Sequence, residues 1–122
     1  MRMTWTVIFT DRFNDWYQQQ PEGLQDRIAA LLWNLRYSGP LVGRPLVDTV
    51  KGSRYPNLKE LRVQYGGEPW RVFFAFDAER QAVVLCAGNK RSQKHFYDAL
   101  IRQAEEEFFL HVQAMERRNE NY

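Results

Sequence analysis

The chemistry available to this sequence lies in one carboxylate, a phenol and several cations. Glu60 and Arg62 stand two apart in residues 58–65, where Leu61, Val63 and Tyr65 alternate with Glu60, Arg62 and Gln64. Strand parity therefore puts Glu60 and Arg62 on one face. Arg71 lies just beyond a Gly66-Gly67-Glu68-Pro69 connection, in the partner strand of the same hairpin. Lys59 stands beside the group at the strand start, Lys90 and Arg91 follow the last strand, and Tyr97 opens the final helix. An antiparallel meander brings such strand ends together although they are about 40 positions apart.

This set suits phosphoryl transfer on RNA without a metal. In that reaction the 2′-OH attacks the adjacent phosphorus and the 5′ oxygen leaves. Cations on the equatorial oxygens and acid–base help at the two apical oxygens lower the barrier. Glu60 or Lys59 fits the base, Arg62 and Arg71 an electrostatic clamp, and Tyr97 a group that stacks on or hydrogen-bonds the substrate. Other chemistries lack their residues. There is no recognisable Ser-His-Asp context, and Gly88-Asn89-Lys90 is too short for a phosphate-cradling loop. The one cysteine, Cys86, excludes an intrachain disulfide and a cysteine zinc site, and its apolar run reads as an inert buried thiol. His95 and His111 are too few for a His-rich metal centre. No metal and no cofactor is expected. Spacing alone leaves a plainer alternative open: Glu60 and Arg62 as a surface pair, Arg71 paired with an acid, and Tyr97 as a core residue at a helix start.

The net charge of +2 over 122 residues hides an uneven distribution. Residues 51–94 hold nine cations (Lys51, Arg54, Lys59, Arg62, Arg71, Arg80, Lys90, Arg91, Lys94) against four acids, residues 1–50 balance at zero, and residues 95–122 come to −3. A basic middle favours a polyanion, of which nucleic acid is the commonest; a solvated sheet surface is the bland alternative. The composition, 44% hydrophobic and 26% charged, fits a folded domain rather than a disordered or membrane-spanning chain. A chain of this length builds one core. One domain over 1–122 is expected, with a polar, frayed tail over 113–122. Met1–Thr10 holds no apolar stretch long enough for a signal peptide, and a cytoplasmic protein is expected.

Residues 5–10 are β-branched and aromatic and read as a strand. Thr10-Asp11 supplies an N-cap for a short helix whose Phe13, Trp16 and Tyr17 share a face. Pro21 reads as the first position of a second helix, with Leu24, Ile28, Leu31, Leu32 and Leu35 as its buried stripe and Gly39-Pro40 as its end. Residues 39–57, broken by glycines and prolines, show no periodic element and read as a long loop. Three antiparallel strands follow over 58–65, 70–77 and 82–88. Residues 95–118 read as a long final helix with a stripe of Ile101, Ala104, Phe108, His111 and Met115. His111 there reads as a packing histidine, and Glu105-Glu106-Glu107 as solvated face. The outcome is an α+β domain: a small antiparallel or mixed sheet with two N-terminal helices and one C-terminal helix, covered on one face.

Asn57-Leu58-Lys59-Glu60-Leu61-Arg62, then Trp70-Arg71-Val72-Phe73-Phe74-Ala75-Phe76-Asp77, then Gly88-Asn89-Lys90 and Phe96-Tyr97 resemble the phage-derived HigB-like branch of the RelE/ParE toxin superfamily. So do Gly39-Pro40-Leu41-Val42-Gly43-Arg44-Pro45, Val47-Asp48 and the first helix with Phe13 and Trp16. The resemblance implies a RelE-like fold and the toxin of a type II toxin–antitoxin pair. Such a protein is a metal-independent endoribonuclease that cleaves mRNA in the ribosomal A site, held inactive by a HigA-like helix-turn-helix antitoxin. Carried over by motif position, it implies Lys59, Glu60, Arg62, Arg71, Lys90 and Tyr97 as catalytic residues. It implies Arg91 and His95, with the neighbouring basic Arg54 and Lys94, as RNA contacts. The ribosome and mRNA are then partners, and Trp16 and Phe109 offer the antitoxin apolar anchors on the helices. The chain departs from minimal members in its longer final helix with Glu105-Glu106-Glu107, whose role the resemblance leaves open. A non-catalytic ParE-like gyrase inhibitor, or a non-toxic nucleic-acid-binding module on the same fold, is the alternative. The group Lys59, Glu60, Arg62 and Arg71 favours the nuclease, because gyrase inhibition needs no phosphate clamp.

If the basic middle contacts RNA, ribosome binding falls steeply with added salt as counterion release is lost. Co-sedimentation across a salt series checks this; an affinity indifferent to salt would point to protein–protein docking.

Overall fold

The computed structural model describes residues 4–120. The chain runs β1 (Thr6–Phe9), α1 (Asp11–Gln18), α2 (Glu22–Ser38), a short 3-10 helix (Gly39–Leu41), β2 (Val47–Thr49), β3 (Leu58–Tyr65), β4 (Glu68–Phe76), β5 (Gln81–Asn89) and α3 (Phe96–Glu120). The strands form one mixed sheet in the order β1-β5-β4-β3-β2, antiparallel except where β1 lies beside β5. This is the expected α+β architecture with its two N-terminal helices and one C-terminal helix.

Local signals account for several boundaries. Thr10 caps α1: its Oγ1 accepts from the Phe13 amide at 3.1 Å and donates to the Val84 and Leu85 carbonyls. One side chain thus starts the helix and fastens it to β5. Pro21 is the capping residue before α2 rather than its first helical residue. The β3–β4 connection is tighter than the four residues expected. Gly66 and Gly67, at φ +61 and +76, make a two-residue turn whose twist matches the strands. Glu68 and Pro69 therefore already pair with Tyr65 and Gln64.

The helices do not cover one face, as expected, but both. β4 is apolar at both parities, and a strand without a polar face must be covered twice. On one side α1 and α2 pack Phe13, Leu24, Ile28, Leu32 and Leu35 against Leu61, Val63, Val72, Phe74, Ala82 and Val84. On the other, α3 packs Phe96, Leu100, Ala104 and Phe108 over Leu58, Phe73, Ala75, Val83, Leu85 and Cys86. A bulge lets β5 serve both layers. Phe73 pairs with Cys86 but Phe74 with Val84, so the consecutive Leu85 and Cys86 both join the α3 layer. Burial there pushes the Cys86 thiol up, consistent with an inert cysteine.

Other expectations are corrected as well. Residues 39–57 are not elementless: they hold the 3-10 helix and β2, an edge strand too short to show a period. Trp16 is half-buried, with its ring 6.0 Å from Trp70, and belongs to the core rather than to a free anchor; Phe109 is exposed. The acidic run is not simply solvated. Glu105 accepts from the Ser53 hydroxyl and the Arg54 amide, both at 2.8 Å, while Glu106 and Glu107 hold Arg12 of α1 at 3.3 and 3.2 Å. Where a frayed tail is expected from residue 113, α3 continues through residue 120 with Met115 buried; residues 121 and 122 lie outside the described residues. No helix among the described residues is long and apolar enough to cross a membrane.

His111 is the packing histidine expected, with a polar partner. Its Nε2 donates to Asp77 Oδ2 at 2.7 Å, joining α3 to the β4–β5 turn. Burial works to raise the Asp77 carboxyl. Hydrogen bonds from His111, the Gln81 side chain and the Gln81 and Glu79 amides outweigh it and hold the group below its ordinary value. A carboxyl depressed in the folded state stabilises the fold above its unfolded titration, and that stability is lost as pH falls through the folded value. Asp77→Asn should therefore cost about 1–3 kcal/mol at neutral pH. Wild type and variant should draw together as pH falls from the ordinary carboxyl range through the depressed folded value, read by urea denaturation across pH.

Candidate active site

Strand parity and register assemble the polar cluster on the α3 side of the sheet. Glu60 and Arg62 share that face of β3, and Asp48 of β2 lies directly across from Glu60. Arg71 of β4 lies directly across from Arg62. Two guanidiniums in register repel, and these are drawn apart by their acceptors. Arg62 donates from Nε to Glu60 Oε1 at 3.2 Å and from Nη2 to Asp48 Oδ2 at 3.4 Å. Arg71 donates from Nε to the Tyr97 hydroxyl at 3.3 Å and from Nη1 to the Trp70 carbonyl at 3.0 Å. Arg71 is only 8% exposed, and among the described residues it has no carboxylate partner. A nearly buried cation held only by neutral oxygens is costly until an anion joins it.

Gly88 lets Tyr97 reach this cluster. It lies across from Arg71, and a Cβ there would meet Phe96 Cε1 at 3.0 Å. Without one, the first turn of α3 settles on the sheet and brings Tyr97 onto Arg71. Burial, and then the neighbouring Glu60 carboxylate, raise the Tyr97 phenol above its ordinary value; Arg71 opposes them without prevailing. The phenol is therefore protonated at neutral pH and has a proton to give. Glu60 is buried, and its Oε2 has no hydrogen-bond partner among the described residues. Lys90 is exposed at the rim, with Nζ 5.9 Å from the Tyr97 ring centroid.

Glu60, Arg62 and Tyr97, with Asp48, Thr49 and Lys51, line an open cavity of about 400 Å³. A cavity of about 420 Å³ between β1 and α2 is lined mainly by Val7, Phe9, Leu32 and Trp33 and gathers no comparable set of titratable groups. The titratable cluster lies at the former, and Arg71 lines a second concavity of about 380 Å³ that shares Arg62 with it.

Of the expected residues, Glu60, Arg62, Arg71 and Tyr97 come together, with Lys90 beside them. Lys59 does not join them. It alternates to the other face of β3, and its Nζ donates to Thr49 Oγ1 at 2.8 Å. Lys94 and His95 line a smaller concavity of about 250 Å³ with Lys90 and Tyr97, and His95 Nδ1 is 3.7 Å from Asp98. Arg91 is tied to the β3–β4 turn through the Gly67 carbonyl and Glu68. Arg54 lies along α3, over the rings of Tyr55 and Phe109. Sequence reasoning missed Asp48, Arg44 and Lys51 as site-lining residues. Asp48 lies in a strand of three residues, too short for an alternation to signal it, and Arg44 and Lys51 flank that strand outside any periodic element.

Three comparisons bear on this geometry. Residues 15–108 match the family described as phage-derived Gp49-like proteins. HigB2 of Mycobacterium tuberculosis, which carries a toxin's name, is 40% identical over 114 residues, or 92% of this chain. The chain spans 56% of that relative's length, about half. HigB3 of the same organism, likewise named as a toxin, is 36% identical over 75% of this chain and 80% of its own length. Among solved structures, a double arginine-to-alanine variant of the E. coli toxin RelE in its free state superimposes with a TM-score of 0.63 at 11% identity, covering 85% of this chain and 97% of RelE. RelE in the archaeal RelE–RelB complex from Pyrococcus horikoshii matches with a TM-score of 0.55 at 18% identity, covering 75% of this chain and all of that one.

The Glu60–Tyr97 coupling has a spectroscopic consequence. Glu60→Gln removes a negative charge that raises the phenol, so Tyr97 should titrate at lower pH in the variant. Carbon NMR of labelled tyrosine reads the shift.

Proposed function

The chain belongs to the phage-derived Gp49-like family, as a HigB-like protein with the RelE fold, and from that premise we propose that it is the toxin of a toxin–antitoxin pair, a ribosome-dependent endoribonuclease that cuts mRNA. The observation that carries the reading is Arg71, a nearly buried guanidinium with no ion-pair partner among the described residues, near a buried carboxylate and a protonated phenol. A phosphodiester supplies the missing anion.

The side chains divide the work as follows. Glu60 Oε2 takes the proton of the 2′-OH as its oxygen bonds to phosphorus. Arg71 and Arg62 carry the charge that grows on the non-bridging oxygens. The bond to the 5′ oxygen breaks, and the Tyr97 phenol gives that oxygen its proton, with Lys90 at the rim neutralising nearby phosphates. The products are a 2′,3′-cyclic phosphate and a 5′-hydroxyl end. Lys59, on the other face of β3, has no part in this scheme.

A site open to solvent needs a partner to silence it. We assign that role to a HigA-like helix-turn-helix antitoxin, in line with the E. coli and P. horikoshii RelE–RelB complexes among the structural relatives. With Trp16 drawn into the core, the exposed Phe109 is the remaining helix anchor of the two first considered.

Cleavage of a reporter mRNA on translating ribosomes tests the reading. Arg71→Ala should lower the rate roughly 100- to 1000-fold while circular dichroism and Tm remain close to wild type. Arg71→Lys should rescue little, because a point charge cannot replace a planar fork. Glu60→Gln should cost about 100-fold or more. Full cleavage by a folded Arg71→Ala protein, or DNA damage without RNA cuts by the wild type, would overturn the nuclease assignment.

A further inference from the structure

We infer that Asp48 is a positioning residue of this site: it holds one half of the Arg62 fork, so that Arg62 engages Glu60 through a single oxygen and leaves the other free to accept a proton. The inference rests on the reading of Glu60 as the base.

The argument starts from the shape of a guanidinium. Nε and the Nη2 beside it form one flat edge, and that edge fits both oxygens of a carboxylate at once. Glu60 and Arg62 are neighbours on one strand face, and left alone they would close into such a two-point pair. Both Glu60 oxygens would then be occupied and the carboxylate would be a poor base. Instead the edge is divided. Nε goes to Glu60 Oε1 at 3.2 Å, and Nη2 goes to Asp48 Oδ2 at 3.4 Å. The result is a buried Glu60 Oε2 with no hydrogen-bond partner among the described residues. Arg62 Nη1 is left uncommitted among the described residues, on a side chain one-third exposed, where it can meet a phosphate oxygen.

Asp48 is itself held for this task. Its register sets it across from Glu60, its Oδ1 accepts the Thr49 amide at 2.9 Å, and Arg44 Nε approaches its Oδ2 at 3.7 Å. Among the described residues, the charged and titratable groups around Glu60 are thus Asp48 on β2, with Arg44 behind it, Lys51 lining the same cavity, Arg62 on β3, Arg71 on β4 and Tyr97 on α3. Among the described residues, Asp48 alone competes with Glu60 for the Arg62 edge.

Asp48→Asn keeps the size of the side chain and an acceptor for the Thr49 amide but weakens the grip on Nη2. The expected result is a roughly tenfold fall in kcat with KM nearly unchanged, and an acid limb of the pH–rate profile that moves to lower pH as Arg62 closes on Glu60. Asp48→Glu, which retains the carboxylate, should recover most of the rate. In an Arg62→Lys background the Asp48→Asn effect should largely vanish, because an ammonium has no edge to divide. Wild-type kcat in Asp48→Asn, a loss with no movement of the acid limb, or the same loss in both backgrounds would each overturn the inference. NMR of the Arg62 guanidinium tests the grip without any cleavage. Asp48→Asn should shift the Nε and Nη2 resonances and speed rotation about the Nε–Cζ bond, and unchanged spectra would also overturn it. If the wild type cuts no RNA while these resonances respond, the nuclease reading fails and the divided fork stands.

Discussion

From Arg71 to Ala75, β4 has almost no solvent on either face. Phe73 and Phe74 are adjacent in the chain, fully buried, and point in opposite directions into different layers. Burial of a side chain of that size contributes about 1.5–3 kcal/mol, and only when a layer is present to receive it. The rest of the molecule is arranged to supply those two layers. α1 and α2 close one, α3 closes the other, and the bulge in β5 gives the α3 layer two consecutive side chains where an unbroken strand would give one.

The candidate site forms where the α3 layer ends. Phe96 is the last apolar side chain that α3 lays on the sheet, and it fits because Gly88 presents no side chain beneath it. Beyond Phe96 the same sheet face carries Glu60, Arg62 and Arg71, which keep strand parity with buried apolar neighbours such as Leu58 and Phe73. Charges so placed are partly desolvated, which strengthens their interactions and makes an unpaired one costly. Arg62 meets that cost with two carboxylates. Among the described residues Arg71 meets it with a phenol and a carbonyl and no carboxylate, so of the two arginines it is the less compensated.

The length of α3 also serves the site. Its acidic run anchors the Ser53–Arg54 turn and Arg12 of α1, and its His111 anchors the β4–β5 turn through Asp77. The Ser53–Arg54 turn follows the segment that carries Val50 into the α3 layer and Asp48 onto the edge of the sheet. Glu105 thus helps to support, at a distance, the strand that divides the Arg62 fork.

Much of this was legible in the amino-acid sequence, because the signals are local. The helical stripe of Leu24, Ile28, Leu32 and Leu35, the cap at Thr10 and the turn at Gly66-Gly67 depend on neighbours within a few residues. Period-two alternation put Glu60 and Arg62 on one face, and the same alternation separates Lys59 from them. The sequence therefore determined the elements other than the 3-10 helix and β2, their order, and the sharing of one face by Glu60 and Arg62. Only the tertiary structure decided that both faces are covered, that Arg71 stands across from Arg62, and that Asp48 reaches Nη2 from a three-residue strand. Those features depend on register between strands, on a bulge and on where α3 begins. All are set by which apolar surfaces find each other across the chain, and no local periodicity records that.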